Sequence, residues 1–269
     1  MLLIYFLISV LAAIIMAAFN LGAGIALCWI IPVSFLSCFL GLVILQGAVF
    51  VITTLLIDVK KPPNKFSKIY RVMVNCLLKV LVPLLNAKVH VTGKEKLPKG
   101  ERFLLVSNHL HDIDPAVFFY ALPKAELAFV GKKEIYQTMK FVAKAMHMLL
   151  GLPIDRENNR NAVVTINKAA QIIKEDKASV AIFPEGYVSK TGELLEFRNG
   201  AFKIAKKSEC AVVVATLRNT KQLTKNMFFK RTNLFVDILE VIPKNRVAEL
   251  STQEIGEIAH TLMYNKINN

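Results

Sequence analysis

Residues 103–115 read FLLVSNHLHDIDP, and this stretch indicates how the folded part of the chain is built. The apolar run 103–106 is typical of a buried strand, and it leads into a polar loop with two histidines and two aspartates. Pro115 suits the first turn of a helix, and Asp114 suits the N-cap of that helix. The stretch therefore predicts a strand, a polar loop and a helix in direct succession.

The alternation of strand and helix patterns continues on both sides of this stretch. Strands are predicted at 88–91, 103–106, 127–130, 179–183, 211–217 and 234–242. Helices are predicted at 116–122, 133–149, 160–175, 201–207 and 252–265. This alternation predicts an α/β fold, a mixed, largely parallel sheet flanked by helices, in a domain that spans 88–269. Functional loops are then expected at the carboxyl ends of the strands.

The beginning of the chain differs in composition, because no charged side chain precedes Asp58. Two apolar runs, 2–19 and 31–57, predict an N-terminal transmembrane hairpin within 1–57, with its break at 20–24 and at Pro32. A single long span and a re-entrant hairpin are the alternatives. A cleaved signal peptide would need a basic first segment, which the sequence lacks.

Residues 58–87 are predicted to connect this anchor to the domain. A lysine-rich segment directly follows the second apolar run, and a basic flank stays in the cytoplasm, so we expect a cell-membrane protein with its domain on the cytoplasmic side. The sequence KKPPN at 60–64 predicts a linker, and 66–85 predicts one or two amphipathic helices at the membrane surface. An ordinary helix packed on the domain is the alternative.

The charge of the chain bears on its partners. The formal net charge of +14 falls entirely after residue 57. Because the basic domain is expected to be tethered beside lipid, an anionic membrane surface is a better predicted partner than nucleic acid, for which no binding motif is visible. The 54% content of hydrophobic residues excludes intrinsic disorder.

The loop after the strand at 103–106 carries residues that could perform acid–base chemistry. Asp114, at the start of a helix, can reach back to the imidazole of His109, orient the ring and stabilise its charged form. The imidazole could then take a proton from a hydroxyl group. No protein nucleophile is needed if that hydroxyl belongs to the substrate.

Two further stretches carry polar residues at predicted strand ends. Residues 179–189 read SVAIFPEGYVS, in which a strand ends in a sharp turn and Gly186 permits a positive φ or a close backbone approach. Residues 151–156 read GLPIDR, and Arg156 suits a phosphate group. A surface ion pair of Arg156 with Asp155 or Glu157 is the alternative.

Together these stretches resemble the glycerolipid acyltransferase family, whose best-known members are the lysophosphatidate acyltransferases. The chain matches three family motifs in the expected order. The matched residues are Asn108, His109 and Asp114 in N-H-x-x-x-x-D, Ile154, Asp155 and Arg156 in I-D-R, and Phe183, Pro184, Glu185, Gly186 and Ser189 in F-P-E-G-x-x-S.

The resemblance implies an acyltransferase fold and an acyltransferase reaction. A fatty acyl group would move from an acyl thioester to the hydroxyl of a lysophospholipid, above all from lysophosphatidate to phosphatidate in phospholipid biosynthesis. Acyl-CoA or acyl carrier protein would be a co-substrate, and no resident cofactor or metal is implied. In this reading His109 is the general base and Asp114 orients it.

The resemblance also implies a set of substrate-binding residues. These are Asn108, Lys132, Arg156, Glu185, Gly186, Ser189 and Arg198. The sequence departs from the family pattern at His111, where a serine is usual, and at Val188, where an arginine is usual. Because that arginine is thought to help bind phosphate, the identity of the acceptor is the most open point, and Arg198 is the candidate to replace it.

Several alternatives remain open from the sequence. His111 could be a second polar contact or a displaced base, although only His109 has the family spacing to Asp114. The acceptor could be another glycerolipid or lysolipid. The chain could also be a non-catalytic membrane scaffold of the same fold. A metal-dependent phosphohydrolase using His111 and Asp112 would need more ligands than the sequence offers nearby.

Overall fold

The computed structural model describes residues 2–20, 27–59, 61, 63, 65–227 and 229–268. The chain forms two compact units, Met1–Ile57 and Asp58–Asn269. The first contains α1 (Leu2–Phe19) and α2 (Leu27–Leu55), which pack against each other, with the rings of Phe6 and Phe35 5.4 Å apart.

One described helix, Cys28–Leu55, is long and apolar enough to cross a membrane, and Leu3–Phe19 is a shorter apolar helix. The break predicted at 20–24 falls mostly outside the described residues. The prediction that Pro32 contributes to this break is wrong, because Pro32 lies inside α2. Near the start of an apolar helix, the loss of one backbone donor is tolerated.

The second unit begins with α3 (Lys68–Leu84), which is a single helix. The hydroxyl of Ser67 accepts a hydrogen bond from the Tyr70 N–H and thereby caps the helix. Residues 60, 62 and 64 of the predicted linker lie outside the described residues. Arg71 is buried, so one side of α3 packs on the domain.

A mixed, largely parallel sheet forms the centre of this unit, as predicted. Its strands are β1 (Ala87–Thr92), β2 (Phe103–Ser107), β3 (Leu127–Lys132), β4 (Leu152–Ile154), β5 (Ser179–Ile182), β6 (Ala211–Arg218) and β7 (Thr232–Ile242). They lie in the order β1-β7-β6-β2-β5-β3-β4, and only the β6–β7 pair is antiparallel.

Helices flank the sheet. They are α4 (Asp114–Ala121), α5 (Lys133–Thr138), α6 (Lys140–Met148), α7 (Asn159–Lys174), α8 (Lys203–Ser208), α9 (Thr220–Asn226), α10 (Lys244–Glu249) and α11 (Thr252–Asn268), and a 3₁₀ turn, Asn199–Phe202, precedes α8. The prediction of one helix over 133–149 is wrong, because Met139 leaves the helical conformation and separates α5 from α6.

The sheet topology determines where the functional loops meet. Strands β6, β2, β5, β3 and β4 run parallel and side by side. Their carboxyl ends therefore lie along one edge, where ligands bind in sheets of this kind. The stretches 103–115, 151–156 and 179–189 each contribute a loop to this edge.

Candidate active site

A buried histidine–carboxylate pair follows β2. The Nδ1 atom of His109 lies 2.8 Å from the Oδ2 atom of Asp114, which is fully buried. The same oxygen accepts hydrogen bonds from the backbone N–H groups of Leu110 and His111, at 2.7 and 2.9 Å. Ile113 is the N-cap of α4 and Asp114 is its first residue, so the prediction of an Asp114 N-cap is wrong. The carboxylate binds the loop before the helix instead.

These contacts fix the tautomer and orientation of His109. Because a carboxylate can only accept, Nδ1 carries the proton and Nε2 carries the lone pair. No described residue forms a hydrogen bond with Nε2. The ring of Phe183 stacks on the imidazole at 4.1 Å with an interplanar angle of 6°. The imidazole is therefore held by a ring on one face and by a carboxylate at one edge, with a basic nitrogen left available.

Glu185 holds the same loop from the neighbouring strand. Its Oε1 atom accepts a hydrogen bond from the His109 N–H at 2.7 Å, and its Oε2 atom accepts one from the Leu195 N–H at 3.0 Å. Burial raises the pKa of the Glu185 carboxyl to about 7, although the two N–H groups oppose this shift. Glu185 thus supports the backbone of the loop 108–113, which carries His109.

The backbone N–H groups of the loop could be considered as donors to the oxyanion of an acyl-transfer reaction. The backbone N–H groups of His109, Leu110 and His111 all donate to the carboxylates of Glu185 and Asp114. They are therefore already engaged, and stabilisation of an oxyanion falls to other donors.

Asn108 and Ser189 also bind backbone groups. The side chain of Asn108 donates to the Leu217 C=O at 3.0 Å and accepts from the Leu217 N–H at 2.8 Å, which joins the ends of β2 and β6. The N–H of Ser189 donates to the His109 C=O at 2.9 Å, and its hydroxyl accepts from the Gly192 N–H. Both side chains are almost completely buried, so they position the loop 108–113.

A second, basic region lies beside the turn at Gly186. The guanidinium groups of Arg156 and Arg198 lie 5.6 and 5.2 Å from the ring centre of Tyr187, and Nη1 of Arg198 donates to the Arg156 C=O at 3.1 Å. Gly186 has a φ of +77°, and a Cβ atom there would approach Nε of Arg198 to 3.0 Å. Glycine therefore lets Arg198 lie across the turn. Burial and the nearby Arg198 lower the pKa of Arg156 from its ordinary value.

The two arginines open onto a cavity of about 530 Å³. Its walls are largely apolar, with four cationic side chains and no acidic one among the lining residues. The walls include Val130, Ile154, Ile166, Ile182 and Phe183, and the cations are Arg156, Arg198, Lys203 and Lys207. Phe183 lines the cavity and stacks on His109, so the cavity extends to the ring that covers the imidazole. An apolar cavity with cations suits an amphipathic anion.

Lys132 and His111, which the sequence also singled out, belong neither to the His109–Asp114 pair nor to the basic cavity. The Nζ atom of Lys132, at the end of β3, lies 3.8 Å from Glu134, and Lys132 is not among the residues lining the cavity. The ring of His111 accepts a hydrogen bond from the Ile113 N–H at 3.3 Å and does not contact the Asp114 carboxylate. Within the described residues, no group of three His, Cys, Asp or Glu side chains could hold a metal ion.

The sequence interpretation overlooked four contributors. Phe183 was noted only as a motif residue, yet its ring stacks on His109, and the ring of Tyr187 lies close to both arginines. Lys203 and Lys207 stand four residues apart on α8 and line the cavity. Their helical spacing, five residues after Arg198, was the available signal.

Comparisons with known proteins show what the chain is similar to. A family model described as Acyltransferase matches residues 88–218. The 1-acyl-sn-glycerol-3-phosphate acyltransferase of Borreliella burgdorferi is 26% identical over 200 residues, covering 73% of this chain and 78% of the relative. The enzyme of the same name from Saccharomyces cerevisiae is 29% identical over 188 residues, covering 68% and 60%. A probable enzyme of this name from Mycoplasma pneumoniae is 31% identical over 160 residues, covering 58% and 57%.

A solved structure has the same fold. The crystal structure of the 1-acyl-sn-glycerophosphate (LPA) acyltransferase PlsC from Thermotoga maritima aligns with a TM-score of 0.61 and covers 100% of this chain and 97% of that one. The sequence identity is 19%, so this likeness concerns the architecture.

Proposed function

Since residues 88–218 match the Acyltransferase family model and the chain is similar to 1-acyl-sn-glycerol-3-phosphate acyltransferases, we propose that it transfers a fatty acyl group from an acyl thioester to the hydroxyl of lysophosphatidate. The product would be phosphatidate, and the biological role would be phospholipid synthesis. The observation that carries this proposal is the buried contact of 2.8 Å between His109 Nδ1 and Asp114 Oδ2.

The chemistry follows from that pair. Nε2 of His109 takes the proton of the lysophosphatidate hydroxyl while the hydroxyl oxygen attacks the thioester carbonyl. Asp114 stabilises the imidazolium that forms. The tetrahedral oxyanion then collapses and expels the thiolate, which receives the proton from the imidazolium. The ester bond is formed, the thioester bond is broken, and the imidazole returns to its neutral form.

The basic region supplies the acceptor site in this proposal. Arg156 and Arg198 carry two fixed positive charges, which match the charge of a phosphate monoester, and guanidinium groups bind phosphate through paired N–H donors. The apolar walls of the adjoining cavity accommodate a hydrocarbon chain. Val188 supplies no charge here, so Arg198 would provide the cation that the family motif usually supplies.

The donor and the location of the reaction are also part of the proposal. Acyl-CoA or acyl carrier protein would carry the acyl group as a co-substrate, and the protein would need no resident cofactor. The catalytic unit would work at the cytoplasmic face of the cell membrane, because a lysine-rich segment follows the apolar helix α2.

The direct experiment supplies the full-length protein, in lipid vesicles, with either acyl thioester and a panel of lysophospholipids. We expect ester formation with lysophosphatidate, loss of activity in His109→Ala and retention in His111→Ala, a matched control from the same loop. Activity that survives His109→Ala would refute the assignment of the base. If another lysolipid were the preferred acceptor, lysophosphatidate would be wrong as the substrate and acyl transfer would stand. If no acyl group were transferred from any thioester, the result would favour a non-catalytic scaffold.

A further inference from the structure

Two neighbouring segments of the second unit expose apolar side chains. In the turn between α9 and β7, Phe229 is 95% exposed and Met227 is 37% exposed. Leu84, the last residue of α3, is 60% exposed. The segments are neighbours, because the Thr232 N–H donates to the Asn86 C=O at 2.9 Å. Phenylalanine this exposed is unusual on a folded domain, and a grouped apolar patch marks an interaction site.

The surroundings of this patch are strongly basic. Lys225, Lys230 and Arg231 are exposed in or beside the turn. The sequence has no acidic residue between Glu209 and Asp237, and none between Asp58 and Glu95. Both segments therefore present cations beside apolar side chains without local neutralisation by acidic residues of their own segment.

This composition fits the surface of an anionic bilayer. Aromatic and aliphatic side chains enter the boundary between headgroups and acyl chains, and adjacent lysines and arginines bind anionic headgroups. Each such cation is attracted to the negative surface potential of an anionic leaflet.

We propose that Leu84, Met227, Phe229, Lys230 and Arg231 form an interfacial surface that docks on an anionic bilayer. Phe229 enters the apolar boundary, and Lys230 and Arg231 bind headgroups. This inference goes beyond acyl transfer and does not depend on it.

Helix α3 also contacts α4. On the other side of α3, Nη2 of Arg71 donates to the C=O groups of Phe119 and Leu122 at 3.0 and 3.1 Å, at the C-terminal end of α4. Asp114 is the first residue of α4. The interfacial surface is thus connected through α3 and α4 to the His109–Asp114 pair.

The single tryptophan of the sequence, Trp29, makes a direct test possible. In a Trp29→Phe background, Phe229→Trp places the sole tryptophan on the interfacial surface. The matched control is Tyr264→Trp in the same background, because Tyr264 is an aromatic residue that is 54% exposed on α11. Both full-length proteins are reconstituted in vesicles of phosphatidylcholine and phosphatidylglycerol with brominated acyl chains, which quench nearby tryptophan fluorescence.

We expect at least about twofold stronger quenching at position 229 than at position 264. Lys230→Glu combined with Arg231→Glu should reduce it, as should ~1 M salt, which shortens the Debye length to about 3 Å. Equal quenching at both positions would overturn the proposal and leave the patch to a protein partner. If quenching at position 229 were unchanged by Lys230→Glu combined with Arg231→Glu, the assignment to anionic lipid would be overturned. Because the readout is fluorescence, it remains informative even if the protein shows no acyl transfer.

Discussion

Asp114→Asn should lower kcat only about tenfold, whereas Asp114→Ala should lower it by about 10²–10⁴-fold. The difference rests on the arrangement of the two carboxylate oxygens. Oδ2 accepts all three hydrogen bonds, from Nδ1 of His109 and from the N–H groups of Leu110 and His111. Oδ1 is buried and has no partner among the described residues.

An asparagine can therefore reproduce the geometry. Its amide oxygen fits the position of Oδ2, and its NH₂ group fits the position of Oδ1. The reverse orientation would set two donors of the side chain against the backbone donors of Leu110 and His111, so these two N–H groups select the productive orientation. The His109 tautomer is preserved, and what changes is the charge of its partner.

The magnitude follows from this difference. A hydrogen bond to a charged group contributes roughly 1.5–3 kcal/mol, and a neutral one roughly 0.5–1.5 kcal/mol. The loss of about 1.5 kcal/mol in stabilising the imidazolium corresponds to about tenfold in rate. Alanine instead leaves three buried donors unpaired, each at a cost of about 1–3 kcal/mol, and no longer orients the ring.

The assay measures the initial rate of thiol release from acyl-CoA at saturating lysophosphatidate, with the full-length protein in vesicles. Asp112→Asn is the matched control, because Asp112 is an exposed carboxylate of the same loop, and we expect its rate to equal that of the wild type. Thermal unfolding in parallel reports whether each variant is folded. If the folded asparagine variant were as inactive as the alanine variant, the backbone donors would not determine the orientation, and the reasoning would fail.

Two other residues give separate predictions. Burial raises the pKa of Glu185 from 4.5 to about 7, so the folded state keeps a proton that the unfolded chain loses, and stability should fall as pH rises through this window. The melting temperature should fall with rising pH in the wild type and fall less in Glu185→Gln. If the melting temperature depended on pH equally in both proteins, Glu185 would not be the group responsible. Arg198→Ala should raise the acceptor KM about tenfold, because a charge-assisted contact to phosphate is lost. Val188→Arg in that variant should restore part of the affinity, and an equal rise of the donor KM would count against the assignment.

The local pattern of the sequence was sufficient to predict the elements around the catalytic loop. The apolar run at 103–106, the polar loop and Pro115 predicted β2 and α4, and the alternation along the chain predicted the mixed, largely parallel sheet that the structure has. Apolar periodicity and turn chemistry are local, so these elements could be recognised without knowledge of tertiary contacts.

The elements that were missed depend on tertiary contacts. β4 has three residues and contains Pro153, which argues against a strand by itself, but an edge strand that pairs only with β3 tolerates proline. The break at Met139 interrupts a helical pattern that is continuous in sequence. Likewise, no local pattern shows that Asn108 binds the backbone of Leu217, or that Glu185 binds the N–H of His109. Those contacts exist because β2 lies between β6 and β5 in the sheet.

The turn that follows β5 joins the two halves of the site. Phe183 stacks on the catalytic imidazole, Glu185 binds the N–H of His109, and Gly186 leaves the space through which Arg198 reaches Tyr187. The Asp114 carboxylate accepts hydrogen bonds from His109, Leu110 and His111, whereas the Arg198 guanidinium donates hydrogen bonds to Arg156 and Tyr187. Changes at Asp114 therefore act on kcat and changes at Arg198 act on the acceptor KM, whereas a Cβ at Gly186 strains the turn that both halves share and should change the two constants together.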